Sequence, residues 1–463
     1  MQHTTVGRAV GSRFQALGPN RLDEIAAKFG IGADLRESVR LFSLVLPFRV
    51  NEYVLGELID WTAPDADPIF HLFFPQPGML DADQERRLAA ARDGGDRARL
   101  AQEVARIRAG MNPHPEHQLD LNVPHDAEGP LPGVQHKYEQ TLLYFPAAGQ
   151  TCHAYCTYCF RWAQFVGEPE QRFSAADPAR AVGYLRRHPE ITDVLVTGGD
   201  PMVMSAERLR RHLEPFLAVE SVQTLRIGTK SVASWPHRYV DDHDADATLR
   251  LFEQVVAAGK TLAVMAHLSH PVELEPAVAR AALGRIRDTG AVLYCQAPMI
   301  GRVNDDAAVW ARLWRAELRA GAVPYYMFVA RDTGPRDYFK VPLARSAEIF
   351  RDAYSTLPGL ARTVRGPVMS TTGGKIVVDG VAEEPGGGAF FELRYVQARD
   401  PRLVGRPFRA VHSPGAAWID DLELAPGTPA DLRAAVEAGR GGGQGVGTAG
   451  DDWDTNQGPT GNA

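Results

Sequence analysis

The sequence predicts an α/β fold: a partial (βα)6 parallel barrel with a helical N-terminal region and a small C-terminal extension. Three observations predict it. From Thr141 onward, short apolar runs alternate with helical segments, the pattern of repeated βα units on a parallel sheet. Glycines stand where several of those helices should stop. The polar motifs all follow the ends of the apolar runs, which is the face where parallel barrels gather their active residues.

Taken in order, residues 1–135 read as a mostly helical region and linker. Apolar residues recur at helical spacing in 22–29 and 86–109, and the stretch 112–132, rich in Pro, His and Asp, reads as a linker or wrapping loop. Residues 136–345 should form the barrel, with strands at 141–146, 193–197, 223–228, 261–266, 291–296 and 325–330. Helices fit between them at 178–187, 206–217, 245–258, 276–288 and 307–320. Ser205 can cap the second, and Gly259, Gly290 and Gly321 end the last three. Right-handed crossovers would curl six such units into an open barrel. Residues 346–436 make a C-terminal region with a hairpin through 366–379. Residues 437–463 turn Gly, Asp and Thr rich and are expected to be a disordered tail.

Composition narrows the function. A chain of 463 residues, 44% of them hydrophobic, can bury a large catalytic core. A net charge of -7 supplies no basic footprint for nucleic acid. No apolar run reaches membrane-spanning length, and the opening Met-Gln-His-Thr-Thr lacks the pattern of a signal peptide. The expectation is a cytoplasmic enzyme with no membrane partner, in reducing surroundings.

Three of the four cysteines fall in one short run, Cys152-His-Ala-Tyr-Cys156-Thr-Tyr-Cys159. Three thiolates so close can hold three irons of a 4Fe-4S cluster and leave the fourth iron open to an outside ligand, which points to radical chemistry on adenosylmethionine. The alternatives fit less well. Structural zinc usually takes four ligands as two separated pairs, His153 lies too near Cys152 to be an easy fourth, and a disulfide would strand one thiol. Cys295 stands alone in an apolar run and reads as a core thiol.

The other motifs fall at the same predicted face. Gly198-Gly199-Asp200-Pro201 follows the second strand, Gly228-Thr229-Lys230 the third, and His267 with His270 the fourth, while Gln296 ends the fifth and Arg331-Asp332 follows the sixth. Together they outline one pocket.

Cys152-x3-Cys156-x2-Cys159 followed by Thr197-Gly-Gly-Asp-Pro201 resembles the radical SAM superfamily, so the barrel is expected to be of radical SAM type. Leu46-Pro-Phe-Arg49, Arg226-Ile-Gly-Thr-Lys230, His267-Leu-Ser-His-Pro271, Gln296, Gly301-Arg-Val-Asn-Asp305 and Pro324-Tyr-Tyr326 resemble, in order, landmarks of the lysine 2,3-aminomutase family over residues 20–385. The resemblance implies a cluster on Cys152, Cys156 and Cys159, and S-adenosylmethionine at Gly198, Gly199, Asp200, Arg226, His267 and Gln296. Plainer readings are a tight turn for Gly198, Gly199 and Asp200, a core histidine for His267 and a strand-end amide bonded to backbone for Gln296. Tyr158, Phe160 and Trp162 would exclude water from the cluster. Arg161 matches the arginine that pairs with the substrate carboxylate; alone it could be a surface arginine.

The same resemblance makes Lys375 the catalytic lysine that carries pyridoxal phosphate, with Lys137 of His136-Lys137-Tyr138 near the phosphate. An ordinary hairpin turn with an edge lysine is the alternative, and the glycine run is shorter here than in the family. Two departures bear on the substrate. Arg331 stands where the lysine-specific enzymes have an aspartate, and Met369-Ser370-Thr371 offers no second carboxylate, so the charge pair for a distal ammonium is missing and an acidic or polar side chain would suit Arg331; a one-residue slip would restore Asp332. No cysteine follows Cys295, so the structural zinc of some members is not expected. The expectation is an isomerase that moves an amino group between C2 and C3 of an amino acid other than lysine, through a 5'-deoxyadenosyl radical and a pyridoxal phosphate aldimine. The alternative is a radical SAM enzyme of the same fold without pyridoxal phosphate that performs a dehydrogenation, epimerisation or other rearrangement. A non-catalytic iron-sulfur protein is the third. The implied partners are an amino acid, an electron donor such as flavodoxin or ferredoxin, and further copies of the chain in a homo-oligomer.

Overall fold

The computed structural model describes residues 13–112, 122–166, 173–385, 387–438 and 440. Most of the expected tail, and residues 113–121 in the first half of the expected linker, lie outside the described residues. No helix among those described is long and apolar enough to cross a membrane.

Among its described residues the N-terminal region has five α-helices: α1 Leu22–Phe29, α2 Ala33–Phe42, α3 Pro68–Phe73, α4 Ala82–Asp93 and α5 Arg97–Met111. The helical run expected over 86–109 is two helices. Gly95, at φ +71°, breaks it, and Asp96 caps the second helix by accepting from the Ala98 and Arg99 N–H groups. Two short strands, β1 His125–Asp126 and β2 Gly129–Pro130, form a hairpin within the expected linker.

Strands β3 Val134–Tyr138 and β4 Thr141–Tyr144 come next, then the cysteine loop and the single turn α6 Trp162–Phe165. The alternating region then runs α7 Ala179–Arg187, β5 Asp193–Val196, α8 Ala206–Leu217, β6 Thr224–Thr229, α9 Ser231–Ser234, α10 Ala245–Ala257, β7 Thr261–His267, α11 Ala277–Asp288, β8 Val292–Met299, α12 Ala307–Arg319 and β9 Val323–Val329. After it come α13 Arg336–Phe339, α14 Leu343–Ser355, β10 Arg365–Ser370, β11 Gly374–Glu383, β12 Ala389–Ala398, β13 Pro407–Val411 and α15 Ala430–Glu437. Ser205 caps α8 through its hydroxyl, as expected. Gly259, Gly290 and Gly321, all at positive φ, close α10, α11 and α12.

The large sheet has eleven strands in sequence order from β3 to β13. Each neighbour pair from β4 to β10 is parallel, with β3 antiparallel at one edge and β11, β12 and β13 antiparallel at the other. The expected hairpin is β10–β11, but β10 is also a seventh parallel strand beside β9, so the C-terminal strands lengthen the main sheet. Strand β8 runs on to Met299, which puts Gln296 in mid-strand rather than at its end.

Side chains alternate across the strands. Val194, Val196, Leu225, Ile227, Leu262 and Val264 point to the helix layer and share one core with Leu209, Leu213, Phe252 and Ile286. Cys295 is 1% exposed in that core, as its apolar run predicts. Asp193, Arg226 and Gln296 occupy the alternate, less buried positions. A second core joins the N-terminal helices to Trp162, Trp235, Ile300 and Phe339, so those helices pack over the end of the sheet that carries the cysteine loop.

Candidate active site

Cys152, Cys156 and Cys159 are free thiols on the loop after β4. The loop is clamped from outside. The Tyr155 N–H donates to the Arg49 carbonyl at 2.9 Å, and the Thr157 N–H to the Leu72 carbonyl at 2.9 Å. Arg49 donates to Thr151 Oγ1 at 2.8 Å and lies 4.9 Å over the Tyr155 ring. Asn51 donates to the carbonyls of His153 and Ser234. Burial pushes all three thiols up, Cys156 to about 12, and the neighbouring Asp200 carboxylate raises Cys152 further. Such thiols stay neutral unless a cation replaces their protons, so this donor set fits a metal cluster better than a reactive free cysteine. His153 is buried with its Nδ1 unpartnered, and burial lowers its pKa to about 3; it packs on Phe14 as a core side chain.

Gly198 and Gly199 have a steric reason to be glycine. A Cβ on Gly199 would lie 2.5 Å from the Thr151 backbone, and one on Gly198, at φ +151°, would lie 2.3 Å from the Gln150 side chain. The segment is thus pressed against the lead into the cysteine loop, and the Asp200 N–H donates to the Thr151 carbonyl at 2.7 Å. The Asp200 carboxylate is 1% exposed and accepts from Thr229 Oγ1 at 2.7 Å, from the Lys230 N–H at 2.9 Å and from the Met202 N–H at 2.9 Å. Burial raises its pKa to about 6. Its side chain braces the end of β6.

His267, the last residue of β7, sits with its Nε2 2.8 Å from Tyr158 Oη, and burial keeps its ring neutral. Gln296 is its cross-strand neighbour. Lys230 donates to Glu273 Oε1 at 2.6 Å and to Ser269 Oγ at 3.2 Å. Arg161 is 8% exposed, lies 4.4 Å over the Phe145 ring and donates to Gln164 at 3.0 Å, while its Nε has no partner. Arg331 lies 4.6 Å over the Phe160 ring. Phe160 is 44% exposed, whereas Trp162 is 1% exposed in a core against which Cys156, Tyr158 and Cys159 pack. A cleft lined by Tyr158, Arg331, Asp332, Thr333 and Trp418 opens beside them.

Lys375, second residue of β11, forms a separate group. Its Nζ donates to Gln397 Oε1 at 2.7 Å and lies 5.0 Å from the Tyr326 ring and 5.4 Å from the Tyr138 ring. Burial, then the charges of Arg226 and Arg365, push its pKa down to about 7. Arg226 is held by Asp193 at 2.8 Å in this group, away from the hydrogen bonds that join His267 to the cysteine loop. Tyr138 is 7% exposed with an unpartnered hydroxyl. Lys137 donates to the Thr371 carbonyl.

Several contributors escaped sequence reasoning. Glu273 had a readable signal, the His-Pro-x-Glu spacing of a capping box, which the structure forms. Gln397 and Arg365 had none, because each meets its partner across strands, and Asn51 showed locally only its cap on the Val54 N–H, not its bonds to His153 and Ser234.

No protein-family model matches the chain. A protein of Aquifex aeolicus named "Putative L-lysine 2,3-aminomutase" is 34% identical over 381 residues, 81% of this chain and 87% of that protein. L-lysine 2,3-aminomutases of Fusobacterium nucleatum and Bacillus subtilis are 26% and 25% identical, over 62% and 64% of this chain and 61% and 58% of their own lengths. Among solved structures, Streptococcus suis SuiB bound to the precursor peptide SuiA overlaps 54% of this chain and 50% of its own, at 13% identity and a TM-score of 0.33.

Proposed function

The chain belongs to the lysine 2,3-aminomutase family of radical SAM enzymes, and on that premise we propose that it moves an amino group between C2 and C3 of an amino acid other than lysine. The reaction would use a 5'-deoxyadenosyl radical and pyridoxal phosphate. The proposed fold of the six βα units is a partial barrel whose lumen is the reaction chamber. Cys152, Cys156 and Cys159 would hold a 4Fe-4S cluster, and the backbone of Gly198 and Gly199, with His267 and Gln296, would line the adenosylmethionine beside it. A cluster so held supplies the electron that releases the radical, and a pyridine ring supplies delocalisation for the migrating amine.

Lys375 carries the reading: it is a neutral-leaning amine among aromatic rings and other cations, the state a lysine needs in order to attack an aldehyde. The orphaned hydroxyl of Tyr138 and the orphaned Nε of Arg161 fit a chamber made for a polar occupant. Arg161 would pair with the substrate carboxylate through its planar fork. Arg331 would repel the distal ammonium of lysine, and Ser370 offers no charge to offset that. Trp162 and Phe145 would keep water from the radical. We further propose a cytoplasmic homo-oligomer fed by flavodoxin or ferredoxin.

The test is anaerobic reconstitution with iron, sulfide, adenosylmethionine, dithionite and pyridoxal phosphate, followed by mass spectrometry over a panel of amino acids. A β-amino isomer with 5'-deoxyadenosine is expected, and Lys375→Ala should abolish the isomer while sparing slow deoxyadenosine release. Deoxyadenosine without any isomer from any amino acid would refute the aminomutase reading.

A further inference from the structure

Around Lys375 the cations outnumber the anions. Arg226 and Arg365 both act on Lys375, and Asp193 is the one carboxylate that acts on the lysine. Most cations nearby are already engaged. Arg226 is on Asp193, Lys137 is on the Thr371 carbonyl, and Arg399 is on the Thr372 carbonyl and Asn122. Arg365 differs. Among the described residues it has no carboxylate or carbonyl partner, and its one hydrogen bond goes to Tyr326 Oη at 3.1 Å.

Its guanidinium is nonetheless held in place. The Cζ lies 4.7 Å from the Tyr325 ring and 4.9 Å from the Tyr326 ring, at the exposed first residue of β10. The two rings hold the guanidinium from two sides, and with one N–H group on Tyr326 Oη the others remain for an acceptor such as a phosphate, which a guanidinium can meet with two parallel hydrogen bonds. Lys375 Nζ is 5.0 Å from the same Tyr326 ring. A ring-sized molecule joined to that amine can therefore reach Arg365 across one tyrosine.

We propose that Arg365, backed by Arg226, anchors the phosphate monoester of the pyridoxal phosphate carried by Lys375, in place of Lys137. This rests on the reading that Lys375 carries that cofactor. A dianion there would offset the surplus of positive charge and would stay near solvent, where a phosphate is least costly to hold. The pyridine ring would lie inward, between Tyr138 and Tyr326.

The test compares pyridoxal phosphate with pyridoxal, which has the same aldehyde and no phosphate, on the full-length protein. Adduct formation is read by visible absorbance and by mass at Lys375 after borohydride reduction. Wild-type protein should prefer pyridoxal phosphate, and inorganic phosphate should compete with it. Arg365→Gln should weaken pyridoxal phosphate by about tenfold or more, the order expected for one charge-assisted contact, and leave pyridoxal unchanged. Arg365→Lys should fall between. Full preference in Arg365→Gln, with loss in Lys137→Met instead, would overturn the assignment while leaving the lysine in its role. No reducible adduct with either aldehyde in the wild type would remove the lysine reading and this one together.

Discussion

Lys375 owes its state to its neighbours more than to its own chemistry. Gly374, at φ +157°, lets the chain pass so near β12 that a Cβ there would lie 2.3 Å from the Gln397 carbonyl, and the same approach brings the Gln397 amide onto Nζ. Burial and two guanidiniums then drive the amine's pKa from 10.5 to about 7. The consequence for stability has a definite sign. The unfolded chain keeps this proton up to about its ordinary value, whereas the folded chain releases it near 7, so between these pH values the unfolded state binds more protons. Stability attributable to this group therefore rises with pH across that window. Urea unfolding of wild type and Lys375→Met at several pH values should show the difference between them changing from pH 7 to 10, with the wild type gaining. Parallel curves would mean the amine titrates like an exposed lysine. Adduct formation with an aldehyde should likewise speed up with an inflection near pH 7.

The segment after β5 ties two elements into one rim. Gly199 meets the Thr151 backbone, and Asp200 bridges that contact to Thr229 and Lys230 at the end of β6. Gly199→Ala would force a Cβ into backbone that has nowhere to move, at a cost of about 2 kcal/mol or more. We expect a lower melting temperature and fewer irons per chain after reconstitution, with the circular dichroism of the sheet retained. Full iron loading in a variant that folds normally would show that the glycine has no part in seating the cysteine loop. The rim was legible in advance because its residues are local: each motif trails an apolar run, and Ser205 and the helix-ending glycines bound those runs by rules that act within a few residues. Strand pairing is a different matter. The hairpin through 366–379 was visible, but its seat beside β9 depends on contacts with Tyr326 and Phe328 that no local pattern encodes. For the same reason Arg365, Gln397 and the place of Arg226 beside Lys375 came only with the fold. The split of α4 from α5 could have been read, since Gly94-Gly95-Asp96 holds both a breaker and a cap.

At the scale of the whole molecule, the N-terminal helices share an apolar core with the cysteine loop and with Trp235, Ile300 and Phe339 from segments that follow the strands. The loop's own backbone hydrogen bonds to the N-terminal region run through Arg49 and Leu72, which come from separate turns of that region, so the loop is held as a template is held between two plates. Asn51 is the rivet: it is fully buried, donates to His153 in the loop and to Ser234 after β6, and accepts from the Val54 N–H. Asn51→Ala leaves those three groups without partners in a site closed to water, which predicts a loss of about 2 kcal/mol or more. The location of the effect is the sharper prediction. Hydrogen exchange should quicken in residues 151–160 and in the turn at 51–54, while β5 to β8 keep wild-type protection, because their ladders and helix layer do not touch Asn51. Iron bound per chain should fall with the loop's protection. If the variant melts earlier but residues 151–160 exchange at the wild-type rate, the N-terminal helices merely pack on the sheet, and the three thiols are held together by the loop and the Gly198-Gly199-Asp200 segment alone.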